Sequence, residues 1–157
     1  NAQPWDFVLI GPDATREPIR AMCEKADKHF HETAPQWLKD WLKHHDVTTE
    51  KIYFETAPWL VCVFGRRNLP FWLQGVWLGI ANLINHLHAQ GLATVTYTPT
   101  LGKDFNALLG VDPDWSCQAV LPVGYPDPGE VMQARPRISV VEKTWVLGKG
   151  GLSRPQR

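Results

Sequence analysis

The pattern of the chain predicts a layered domain of sheet and helices, of the α+β or α/β class, from three observations. Runs of β-forming residues at 7–10, 58–64, 93–98 and 117–123 alternate with stretches whose apolar residues recur at helical spacing. The 157 residues, 44% apolar and 20% charged, suit one domain long enough to bury a core. No internal repeat divides them.

The opening NAQPW reads as a polar turn feeding a short apolar run at 7–10 that GPD closes, the pattern of a buried strand ending in a turn. Asp13 or Thr15 can cap the helix that follows, where Ile19, Met22, Cys23, Ala26 and Phe30 share a face and Arg20, Glu24, Lys25, Asp27 and Lys28 decorate the others. Pro35 starts a second helix, with Trp37, Leu38, Trp41 and Leu42 on one side, before the pattern decays into HHDVTTEK. The stretch 24–51 is more polar than the rest and reads as a mobile lid. PWLVCVF at 58–64 is a second buried strand, ended by GRRNLP.

Leu73, Val76, Trp77, Ile80, Leu83, Ile84 and Leu87 then follow helical spacing for four turns, and Gly91 stands where a helix ends in a left-handed residue. Trp72, Leu78 and Ala81 make the other side apolar too, so this helix is expected to be buried nearly all round, as at the centre of a dimer. ATVTYT at 93–98 reads as a third strand stopped by Pro99, and 100–109 as a short helix ended by Gly110. Residues 117–123 form a fourth strand, and GYPDPG is dense turn chemistry. ARPRISVVEKTWV is expected to be extended and surface-hugging, with 148–157 a flexible tail.

Sixteen Lys and Arg balance sixteen Asp and Glu, which gives no reason to expect nucleic acid or an anionic membrane surface as partner. Three widely spaced cysteines, Cys23, Cys62 and Cys117, argue against a disulfide framework and for a reducing, cytoplasmic setting. The apolar stretch at 70–83 is broken by Gln74, Gly75, Gly79 and Asn82, so no membrane span is expected. No signal peptide is visible, and a first residue other than Met leaves an upstream segment open. Eight Trp and six Phe point to core and oligomer interface, or to a planar ligand stacked on some of them.

The dinucleotide, phosphate-loop and hydrolase-elbow motifs are absent. The histidines at 29 and 31, 44 and 45, and 86 and 88 are adjacent or alternating, so each pair diverges on a helix, and no metal site is expected. Arg66 and Arg67 at a strand end suit either a phosphate or solvent.

Four segments carry more weight together: NAQPW at 1–5, TAPWLVCVF at 56–64, GLATVTYTP at 91–99, and LLGVDP with LPVGYPDP between 108 and 128. In that order they resemble the nitroreductase family of flavoproteins, and within it the iodotyrosine deiodinase branch. The resemblance implies an α+β fold, a nitroreductase-like sheet flanked by helices with a long central helix at a dimer interface, over residues 1–147. It implies an FMN-dependent oxidoreductase working as an intertwined homodimer. NADH or NADPH would reduce the flavin, and a nitro, quinone or halogenated aromatic would be reduced in turn by ping-pong hydride transfer through flavin N5.

By position, Thr96, Tyr97 and Thr98 match the segment that contacts the flavin, with Thr98 the catalytic candidate that hydrogen-bonds N5; β propensity explains the threonines equally well. Asn1 and Gln3 fall near the cofactor, and Arg135 and Arg137 toward its phosphate, two residues apart so that an extended segment points both the same way. The deiodinase lid supplies Glu, Tyr and Lys to clasp substrate; the matching positions here are Asp27, His31 and Lys51. The resemblance also sets a helix and a basic motif ahead of NAQPW, so the N-terminal part of the domain is expected to be missing from this sequence. That raises the alternative of a degenerate, non-catalytic ligand-binding or interaction module on the same fold.

Overall fold

The computed structural model describes residues 2–129, 136–148 and 151–154. The chain forms two compact units, Asn1–Pro126 and Asp127–Arg157. The first is built on a four-stranded antiparallel sheet in the order β1-β2-β4-β3. In chain order its elements are β1 (Trp5–Ile10), α1 (Glu17–Thr33), α2 (Gln36–His44), α3 (Tyr53–Thr56), β2 (Trp59–Arg66), α4 (Trp72–Ala89), β3 (Ala93–Thr94), α5 (Lys103–Leu109) and β4 (Trp115–Gly124). The α+β reading therefore holds, with hairpin-like antiparallel pairing in place of parallel crossovers.

Two central strands, β2 and β4, are covered on both faces, which is why their sequences run apolar instead of alternating. Leu60, Cys62 and Phe64 join Ile19, Cys23, Phe54 and Phe105 in one core, under α1, α3 and α5. Val61 and Val63 join Val76 and Ile80 of α4 in the other. β4 supplies Cys117 and Val120 to the first core and Ala119, Leu121 and Val123 to the second. The odd spacing of Cys117 and Val120 on one face is explained by a bulge: Val63 faces Ala119 while Phe64 faces Cys117, which leaves Gln118 as the extra residue. Phe54, Phe64 and Phe105 are fully buried, each worth roughly 1.5–3 kcal/mol of transfer free energy.

Several boundaries differ from the sequence reading. β1 begins at Trp5 and is an edge strand, with Phe7 and Leu9 exposed. Neither Asp13 nor Thr15 caps α1; Arg16 occupies that position without a side-chain cap, and Pro18 sits in the first turn, where a missing N–H costs nothing. Arg16 does something a pattern cannot reveal. It is buried, and its guanidinium donates to the carbonyls of Gly11, Phe54, Ala57 and Pro58, tying the start of α1 to the turn before β2. The expected third strand shrinks to Ala93–Thr94, with one further bridge between Tyr97 and Val120.

In the second unit, the segment expected to be extended contains a short helix, α6 (Val140–Lys143), capped by the Ser139 hydroxyl, which accepts from the Glu142 N–H. The expected tail contributes β6 (Gly151–Ser153), paired antiparallel with β5 (Val146–Gly148). Gly151 takes φ +96°, a conformation that glycine alone enters freely, and the Arg154 guanidinium lies 4.4 Å from the centre of the Trp145 ring.

Candidate active site

A cleft of about 510 Å³ opens where α1 and the loop after α2 meet the chain between β3 and α5. That lies within the roughly 300–1,000 Å³ of ordinary small-molecule sites. Its walls bring together Asp27, His31 and Lys51 from one side and Thr96, Tyr97 and Thr98 from the other, with Phe30, Val47 and Val95 supplying apolar surface.

The polar floor is a closed network. Lys51 Nζ lies 2.5 Å from Asp27 Oδ2, donates to the Thr48 carbonyl at 2.9 Å, and sits 5.0 Å from the centre of the Tyr97 ring. The Tyr97 hydroxyl reaches Asp27 Oδ1 at 2.8 Å and the Cys23 carbonyl at 2.9 Å. Its single proton can serve one of these acceptors at a time. Burial, and then the hydrogen bond to Asp27, push the Tyr97 phenol far above its ordinary range. Burial likewise pushes the neighbouring Tyr53 phenol up to about 12.

The 24–51 segment is pinned to this floor. Glu24 Oε1 accepts from the Lys51 N–H at 2.7 Å and from Arg20 Nε at 2.8 Å, and these bonds hold its carboxyl below the usual carboxylate range. The far end of α2 turns through Asp46, whose φ of +50° is one an aspartate tolerates better than most residues. The decay into HHDVTTEK is the only sequence signal for that turn. It delivers Asp46, Thr48, Glu50 and Lys51 to the rim of the cleft.

Across the cleft, loss of strand pairing after Thr94 frees the chain. Thr96 and Thr98 are exposed, and neither makes a hydrogen bond to any described residue. Tyr97 differs: its N–H and C=O both pair with Val120, and its hydroxyl is engaged with α1. A cofactor contact expected at Tyr97 thus meets a residue whose polar groups are already committed, whereas the two flanking threonines keep theirs.

Of the other four expected positions, two are described. Gln3 sits in the turn before β1 with φ +42°, and Arg137 is an exposed residue of the second unit. Asn1 and Arg135 lie outside the described residues. Arg67 donates to the Pro113 carbonyl at 2.7 Å, which makes it a fastener of the β2 end. Among the described residues, no three His, Cys, Asp or Glu side chains gather into a metal-binding group. None of the described helices is long and apolar enough to cross a membrane.

With that geometry in place, comparison with known proteins gives a consistent picture. The model of the nitroreductase family matches residues 1–125. An iodotyrosine deiodinase from Thermotoga neapolitana is 35% identical over 127 residues, covering 81% of this chain and 68% of the relative. Iodotyrosine deiodinase 1 of Rattus norvegicus is 28% identical over 142 residues, and the chain spans 50% of its length. Among solved structures, oxidized iodotyrosine deiodinase bound to FMN and 3-iodo-L-tyrosine superposes with a TM-score of 0.78 at 33% identity, over 89% of this chain and 76% of that one. An FMN-dependent nitroreductase from Clostridium difficile, at 16% identity and a TM-score of 0.64 over 90% of this chain and 78% of its own, shares the fold.

Proposed function

Because the chain belongs to the nitroreductase family, we infer that its cleft is the substrate side of an FMN-dependent oxidoreductase site. The observation that carries this reading is the meeting, in one cleft, of the lid positions Asp27, His31 and Lys51 with the Thr96–Thr98 segment. The donor set suits the edge of a flavin ring. Two exposed hydroxyls without partners among the described residues flank an anchored tyrosine, and polar groups of this kind fix the orientation of a planar, mostly apolar cofactor.

Thr98 would hold the ring edge at N5 and Thr96 would support it. The family resemblance, and not their placement, nominates Asn1 and Gln3 as further cofactor contacts and Arg135 and Arg137 as phosphate partners. The cleft itself offers a phosphate little, since Lys51 is bonded to Asp27 and the remaining basic group is the His31 imidazole. FMN, when bound, would supply the redox chemistry between NADH or NADPH as donor and a nitro, quinone or halogenated aromatic as acceptor, in a ping-pong order.

The protein's own contribution is orientation and exclusion of water. The 24–51 segment closes one side of the cleft, the Asp27–Lys51 pair fixes its position, and Phe30 and Val47 present apolar surface to an aromatic substrate. The apolar face of α4 is left uncovered in the single chain: only Val76 and Ile80 are buried, while Phe71, Leu73 and Leu78 are exposed. An uncovered face of this kind supports a homodimer built on α4.

Titration of FMN with the protein, followed by flavin fluorescence, tests the cofactor assignment. Saturable quenching that weakens several-fold in Thr98→Val is expected; the absence of any uptake would remove the assignment.

A further inference from the structure

We propose that the cleft selects phenols lacking a carboxylate, neutral or amine-bearing, over amino-acid zwitterions. This rests on the reading of the cleft as an aromatic substrate site. Its basis is the state of the charges lining it. A zwitterion needs a free cation for its carboxylate, and the buried candidate, Lys51, is already engaged. Of its three N–H groups, one meets Asp27 Oδ2 and one the Thr48 carbonyl, and the ammonium faces the Tyr97 ring. Lys51 is 4% exposed, so water offers it no easy exchange of partners.

Asp27 is equally committed, with Lys51 on Oδ2 and the Tyr97 hydroxyl on Oδ1. The pair is therefore electrically closed. What remains at the rim are the Asp46 and Glu50 carboxylates, both exposed and without an ion-pair partner among the described residues, against the single His31 imidazole. A substrate carboxylate entering here would meet two like charges and no available cation, whereas an ammonium would meet two partners. Above that floor, Thr100 offers its exposed hydroxyl to a phenol, and Phe30 and Val95 offer apolar contact to its ring.

Three probes that share one ring separate the terms: 2-iodophenol, 3-iodotyramine and 3-iodo-L-tyrosine, each titrated calorimetrically into FMN-loaded protein. We expect 2-iodophenol and 3-iodotyramine to bind at least about tenfold more tightly than 3-iodo-L-tyrosine. Asp27→Asn, which keeps an acceptor for Tyr97 but releases the Lys51 charge, is expected to narrow the affinity ratio of 2-iodophenol to 3-iodo-L-tyrosine about tenfold. The wild-type ranking decides the matter even where the variant fails to fold. Preference for 3-iodo-L-tyrosine in the wild type overturns the proposal alone, as does a folded Asp27→Asn that leaves that ratio unchanged. Failure of all three probes to bind overturns the substrate-site reading and this proposal with it.

Discussion

Cys23, Cys62 and Cys117 share the core beneath α1 and α5, where a thiolate has no water to solvate it. Burial pushes Cys23 and Cys62 up to about 12 and Cys117 higher still, and raises Tyr53 and Tyr97 alongside them. In each case the folded protein holds its proton more tightly than the unfolded chain, so the stabilisation is complete below the unfolded value near 9 to 10 and is lost as pH rises toward 12. Urea midpoints should stay level up to about pH 8.5 and fall steeply above it. A midpoint that rises with pH across that window would contradict the burial. At this scale the sequence disclosed residue identities better than residue partners. The resemblance nominated Asp27, His31 and Lys51 as lid positions, and all three line one cleft. It could not disclose that Tyr97 turns its hydroxyl into α1, because that bond spans 70 residues and follows from the strand breaking after Thr94. Arg16 was hidden for the same reason, as three of its four carbonyl partners lie about forty residues away.

Elements were legible where a single periodicity ruled. The long helix from Trp72 to Ala89 and its Gly91 terminus, with φ +74°, follow directly from spacing. β2 and β4 were found from β-former content, but not the bulge at Gln118, which repays itself only in the packing of two cores at once. The four-residue α3 was missed, being too short to show a period. How α4 seats on the sheet depends on Gly65, a buried residue in β2. A Cβ there would fall 2.7 Å from the Trp72 ring and 2.8 Å from Val76, so the bare backbone is what lets the helix approach. Gly65→Ala should therefore cost about 1–3 kcal/mol in a denaturant titration, through overpacking. An unchanged or raised midpoint would show that α4 is not held by this contact.

For the molecule as a whole, the apolar surface that the single chain leaves open is informative. Leu78 on α4 is 67% exposed and Phe71, the residue just before the helix, 80%, more than a solitary helix of this composition would be expected to leave to water. Leu78→Glu should convert a dimer to a monomer in sedimentation experiments while leaving helical content intact; a monomeric wild type would remove the dimer proposal. The sequence could suggest this assembly only because α4 is apolar on more sides than one sheet can cover. It could not show which face the sheet takes, and the structure answers with the Val76, Ile80, Leu83 and Leu87 stripe. Whether the cleft serves flavin-dependent reduction of an aromatic, as proposed, is decided by the visible spectrum of the FMN-loaded protein without oxygen. The flavin bands should bleach on addition of NADH or NADPH and return on addition of a nitro- or halophenol. A protein that stays colourless after incubation with FMN, or whose bands ignore both additions, would contradict it.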